Sequence, residues 1–391
     1  MEKNKIVFKN IPVRVNWSKF KGISRTEEYF FAFIPETLEK FEVQLNWIQK
    51  AYSETLNLLK LEKETSVFRR FFCSDLYNQR KYLEEFEISN SYNNNSNPTS
   101  ISLINQPPSF PARVSLLAYH INDRKIEKFF EDNTLSLKRN GLIHNWTTGI
   151  IFTETESVYQ QARKVVEKYI EILNKKNMCL SENVIRTWFF IQNIDTNYKE
   201  FVNSRREIYA ENGLTEKTHY IASTGVEGSY YDLRAKVLLD AYSIYGIKEE
   251  QIKFLSAPEY LSPTYIYGVT FERGVSISYS DRKHIFISGT ASINNKGEIL
   301  YPGNIELQIE RTLTNIEALL KNENAKLEDI MIFTVYVRDP FDFYIVESKL
   351  RKRFGEAPII IANANVCRPG WLVEIEGIGI IPSFNPELPP F

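Results

Sequence analysis

The sequence predicts an α+β protein made of three similar units in one chain, and three observations carry that expectation. An amphipathic helix occurs three times along the 391 residues. Each is followed, after a short link, by a strand dense in aromatic and β-branched residues, and each strand runs into a polar turn carrying Asp or Asn. One amphipathic helix cannot close a core alone. Helices on one face of mixed sheets, with the sheets packed about a common axis, are therefore expected.

The first helix is expected from about Leu38 to Leu59, with Phe41, Leu45, Ile48, Tyr52 and Leu59 on one face. SVFRRFFCSDLYNQ (Ser66 to Gln79) follows it. The second runs from about Ser157 to Asn174 through Val158, Ala162, Val165, Tyr169 and Leu173, and NVIRTWFFIQNIDTNY (Asn183 to Tyr198) follows. The third runs from about Glu306 to Lys321 through Ile309, Leu313, Ile316 and Leu320, and DIMIFTVYVRDPFDFY (Asp329 to Tyr344) follows. All three stripes have the helical period.

Strands EYFFAFI (Glu28 to Ile34), LIHNWTTGIIF (Leu142 to Phe152) and HIFISGTASI (His284 to Ile293) precede the helices. After a second helical segment in each unit, RVSLLAYHI (Arg113 to Ile121), THYIASTG (Thr218 to Gly225) and WLVEIEGIGII (Trp371 to Ile381) are assigned equivalent places. SYNNNSNPTS (Ser91 to Ser100) has loop composition. The charged DRKIEKFFEDN (Asp123 to Asn133) reads as a linker or edge, and APEYLSPTY (Ala257 to Tyr265) as a joint. The units are expected at residues 1–135, 136–262 and 263–391.

Lys and Arg (48) balance Asp and Glu (49), so no net field favours nucleic acid or an anionic membrane surface. Three separated cysteines argue against a disulfide framework and for a reducing compartment. The four histidines and the cysteines show no ligand spacing, so neither a metal nor a cofactor is expected. MEKNKIVFKN lacks the apolar run of a signal peptide, no stretch reaches transmembrane length, and a cytoplasmic location is the expectation. The 22 Tyr and 26 Phe suit strands and aromatic-lined pockets.

The chemistry concentrates in VCRPGWLVEIEGIGI (Val366 to Ile380). It turns through Arg368-Pro369-Gly370 and continues as a strand in which Glu374 and Glu376 face one side. Two acids on one face of an apolar strand must reach solvent, pair with cations, or act as an acid or base.

The third unit resembles the RidA (YjgF) family through ISGTASINNKGEIL, QIERTLTNIEALL, VYVRDPFDF and VEIEGIGI. That family forms trimers of a chorismate-mutase-like α+β fold with clefts between protomers, so three units in one chain imply a covalent pseudo-trimer, monomeric or weakly oligomeric. The family's deaminases hold a substrate carboxylate with an arginine, and the matching strand PIIIANANV (Pro358 to Val366) has none.

A second resemblance covers roughly the last two-thirds of the chain. STG (Ser223 to Gly225), YGVTFERG (Tyr267 to Gly274), SGTASI (Ser288 to Ile293) and CRPGWLVEIEG (Cys367 to Gly377) look like the chorismatases, which release pyruvate from chorismate. The resemblance implies that Glu374 supplies a proton, with Glu376 as the spare candidate. Cys367 matches the cysteine of the 3-hydroxybenzoate-forming branch, and Tyr267 and Arg273 match the residues lining the pocket. Carboxylate binding wants arginine, and Arg273, Arg186 and Arg338 are the candidates in that order. Thr224 and Gly225 are expected in a tight turn able to bind an oxyanion. A small anionic, chorismate-like molecule is the implied partner. The rival readings are a non-catalytic carboxylate-binding protein and a deaminase using Arg69 or Arg113.

Overall fold

The computed structural model describes residues 1–85, 98–123 and 125–391, with the side chains of Ile266 and Tyr267 outside that description. The segment Ser91 to Ser100 lies mostly outside the described residues.

Three six-stranded sheets repeat one strand order. The first contains β1 (Glu2–Ile6), β2 (Val13–Lys21), β3 (Glu27–Pro35), β4 (Ser66–Cys73), β5 (Ser100–Asn105) and β6 (Val114–Asn122) in the order β1-β2-β3-β6-β4-β5. The second contains β7 (Glu127–Glu131), β8 (Thr134–Arg139), β9 (Leu142–Ile151), β10 (Val184–Ile191), β11 (Ala222–Glu227) and β12 (Val237–Tyr245). The third contains β13 (Ile252–Phe254), β14 (Gly274–Ser278), β15 (Arg282–Ala291), β16 (Ile330–Val337), β17 (Ile359–Asn363) and β18 (Val373–Pro382). In each sheet the last strand is antiparallel to both neighbours, and the edge strand β5, β11 or β17 is parallel to its partner. A register shift recurs at one place, between Ser66 and Phe68, Val184 and Arg186, and Ile330 and Ile332. The chain is thus a covalent trimer of one α+β unit.

The long helices are α1 (Phe41–Leu59), α3 (Val158–Lys175) and α5 (Ile305–Leu320), close to where periodicity puts them. Ser157 and Asn304 start the second and third by accepting the amides of Gln160 and Leu307. Phe41, Leu45, Ile48, Tyr52 and Leu56 bury the predicted face of α1, while Leu59 is only partly covered. The second helices are α2 (Leu76–Leu83), α4 (Ile194–Glu211) and α6 (Phe343–Phe354).

Several sequence assignments need correction. THYIASTG is not the counterpart of the strands ending the other units: β11 pairs parallel with β10 at the sheet edge. The true counterpart is β12, VLLDAYSIY, whose central Asp240 interrupts the apolar run by which such a strand is recognised. The stretch from Asp123 to Asn133, read as a linker or edge, is an edge: its β7 belongs to the second sheet although it precedes residue 135, and β13 joins the third sheet although it precedes residue 262.

The sheets meet along three seams, and each seam holds one buried arginine–carboxylate pair. Arg70 joins Asp240 at 2.9 Å between the first and second units. Arg186 joins Glu376 at 2.6 Å between the second and third, and Arg282 joins Glu28 at 2.5 Å between the third and first. Breaking such a pair by removing one partner costs about 3–5 kcal/mol, because the survivor stays charged and buried. Among the described residues no helix is long and apolar enough to cross a membrane.

Candidate active site

A cavity of about 460 Å³ opens at the seam between the second and third units. β18 supplies Glu374, β15 supplies Gly289 and Ala291, β11 supplies Ser223 and Gly225, and α4 forms the opposite wall. The turn before β18 adds Cys367, Arg368 and Trp371. Strand alternation puts Glu374 and Glu376 on one face, as expected, yet their surroundings differ.

Glu376 is fully engaged. Its carboxylate accepts from Arg186 (2.6 Å), the Thr224 hydroxyl (2.5 Å), the Trp188 indole (3.1 Å) and the Tyr336 hydroxyl (3.1 Å). Glu374 is 4 % exposed and faces the cavity. Burial, and then the neighbouring charge of Glu376, push its carboxyl up to about 8, against a weaker pull from Arg186 and Arg273. Near neutrality Glu374 therefore holds a proton, which is what a general acid needs.

Arg273 lines the cavity, as expected; it donates to the Ser262 carbonyl at 2.9 Å and lies against the Phe271 ring. Cys367 also lines it, half-buried. Burial first, then the charge of Glu374, push its thiol up to about 12, so it stays S–H. Gly225 lines the cavity too. The side chain of Tyr267 lies outside the described residues.

Three expectations do not hold. Arg186 is spent on Glu376 and lies behind the cavity wall, because a buried carboxylate on β18 claims the nearest guanidinium. Arg338 grips the Asp195 carboxylate at 2.9 and 3.0 Å and the Val366 carbonyl at 2.6 Å, bracing the cleft from outside. Residues 223–225 run within β11 rather than in a turn, and the Thr224 hydroxyl, pointing at Glu376, accepts the Gly289 amide at 2.9 Å. Neither Arg69 nor Arg113 of the first unit reaches the cavity.

Sequence reading missed the cations of α4. Arg205 is 2 % exposed, donates to Thr270 Oγ1 at 3.0 Å and lies over the rings of Phe189, Phe201 and Tyr209. Arg206 donates to the Gly268 carbonyl. Tyr198, Val202, Arg205 and Arg206 fall at i, i+4, i+7 and i+8, a helical face that was legible once Asn193 had been taken as a helix start. Lys199, Arg205, Arg206, Arg273 and Arg368 against Asp195 and Glu374 make the cleft cationic. Among the described residues no group of His, Cys, Asp and Glu side chains could hold a metal ion.

Comparison with known proteins bears on the fold and the family. The family described as Endoribonuclease L-PSP matches residues 275–381. A 3-hydroxybenzoate synthase of Streptomyces hygroscopicus is 29% identical over 220 residues, which are 50% of this chain and 63% of that protein. The chain therefore spans less than two-thirds of the length of that curated relative. A RutC family protein of Pyrococcus abyssi is 31% identical over 96 residues, 24% of this chain and 76% of that one. A crystal structure of a chorismatase superposes with a TM-score of 0.61 at 17% identity, covering 81% of this chain and 93% of the other. Both resemblances read from the sequence thus hold: this chain has the three-unit fold of a chorismatase, and its C-terminal unit belongs to the RutC (RidA/YjgF) family.

Proposed function

We propose that the chain is a chorismatase-like enzyme that releases pyruvate from chorismate and forms 3-hydroxybenzoate. The observation that carries this reading is a buried carboxyl at Glu374, pushed up by its burial, facing a cationic cleft. Chorismate is a dianion with an enol ether, and protonating its terminal methylene makes an oxocarbenium-like centre from which the ring carbon–oxygen bond can break. Glu374 donates that proton. Arg273, with Arg205 and Arg368 nearby, offers guanidinium forks for the two carboxylates. The adjacent ring hydroxyl displaces the side chain as pyruvate, gives its proton back to the Glu374 carboxylate and yields an epoxide. Opening of the epoxide with loss of a ring proton gives the aromatic acid, and no water is consumed. The Cys367 S–H lies on the cavity wall as a neutral group beside the ring, suited to assisting that rearrangement rather than to attacking as a thiolate.

The test is to incubate purified protein with chorismate and follow pyruvate and aromatic acid. Wild type should release both, and Glu374→Gln should lose nearly all turnover. Binding of chorismate without turnover by wild type would favour a carboxylate-binding protein instead.

A further inference from the structure

The two buried acids of β18 divide the labour of one seam. The three-fold repeat gives an internal control for what a seam needs. In register, Thr334 of β16 faces Glu376, as Trp188 of β10 faces Asp240 and Arg70 of β4 faces Leu117. Two residues earlier along the same strands stand Glu374, Leu238 and Ser115. The seam between the first and second units is therefore closed by Asp240 paired with Arg70, with an apolar neighbour beside it. Only the third unit places a second acid there, on the same strand face and about 6–7 Å along the chain.

We propose that Glu376, held by Arg186, is an electrostatic positioning residue that acts through space on Glu374 so that the acid keeps its proton. Four donors fix the Glu376 carboxylate two residues along β18 from Glu374, on the same face: Arg186 from β10, Thr224 from β11, Trp188 from β10 and Tyr336 from β16. The other charged or titratable groups around Glu374 are Arg186 itself, Arg273 before β14, Cys367 and Arg368 in the turn, and Asp195, Tyr198, Lys199, Arg205 and Arg206 on α4. Their cations work in the opposite direction. The inference rests on the reading of Glu374 as the acid and explains how an acid survives in a cationic cleft. Burial raises the Glu374 carboxyl most, and the fixed negative neighbour adds to that against the cations that attract a dianion.

The test is a titration of the Glu374 carboxyl by infrared difference spectroscopy against Glu374→Gln, without substrate. Its outcome is therefore separable from whether chorismate is turned over. Wild type should titrate near pH 8. Glu376→Gln keeps the acceptor oxygen and removes the charge, and the midpoint should fall by about one to two pH units. Asp240→Asn, which breaks the corresponding pair at another seam, should lower thermal stability and leave the midpoint in place. An unmoved or raised midpoint in folded Glu376→Gln overturns the proposal. If that variant does not fold, Arg186→Met with Glu376→Gln removes the pair together. A smaller fall in midpoint then supports the proposal, and an unchanged midpoint overturns it.

Discussion

The Glu374 carboxyl occupies the space a side chain would take at Gly289: a Cβ there would lie 1.9 Å from Glu374 Oε1 and 3.1 Å from Thr224 Cγ2. Glycine is kept at this point of β15 for close approach and not for an unusual backbone angle. Gly289→Ala should therefore push Glu374 out of its seat while leaving the sheet hydrogen bonds intact. Turnover of chorismate should fall about a hundredfold or more, the range in which a general acid contributes, with near-native circular dichroism. Unchanged turnover would show that this seat has no part in the reaction.

Stability should carry the signature of the same carboxyl. Unfolded, Glu374 titrates at its ordinary 4.5; folded, at about 8. Between these values the folded chain holds the extra proton. This group's stabilisation is therefore complete below about pH 4.5 and is lost as pH rises through about 8. Urea denaturation should show wild type losing stability relative to Glu374→Gln across that window, by at most roughly 1.4 kcal/mol per pH unit. Parallel curves for the two proteins would mean that the carboxyl is not held protonated.

Reactivity at Cys367 should be low. With its thiol pushed up to about 12, alkylation by iodoacetamide near neutral pH should be slower than for an ordinary thiol by on the order of a thousandfold. Half-buried Cys179 serves as the internal reference in site-resolved mass spectrometry. Cys367→Ala should shift product from hydroxybenzoate toward the non-aromatic diol, and an unchanged ratio would remove the thiol from the chemistry.

The arginines should separate by position. Arg205→Met takes a buried cation from the cleft wall and should lower kcat/KM for chorismate by roughly 10- to 100-fold, chiefly through KM. Arg338→Ala loses the brace to Asp195, Val366 and the Trp371 carbonyl outside the cavity and should change kcat/KM less than about threefold. The reverse ranking would place the carboxylate site elsewhere.

Arg186→Met should destabilise the fold by about 3–5 kcal/mol, since Glu376 is left buried and charged. A thermal melt with little change would show that the seam tolerates an unpaired acid.

Much of this protein is legible in one dimension. Helical period placed α1, α3 and α5, and aromatic and β-branched runs placed β3, β4, β9, β10, β15, β16 and β18, because each element's burial pattern is a local property of the chain. Two acids spaced to share a strand face already marked Glu374 and Glu376. What pairs with what is not local. Arg186 lies 190 residues from Glu376, and only the packing of the second sheet on the third makes that arginine a staple and leaves Glu374 to the cavity. The cations of α4 face the cleft for the same reason. Charge on a side chain is written in the sequence, but its function depends on which opposite charge is nearest once water has been excluded, and the seams between units decide that.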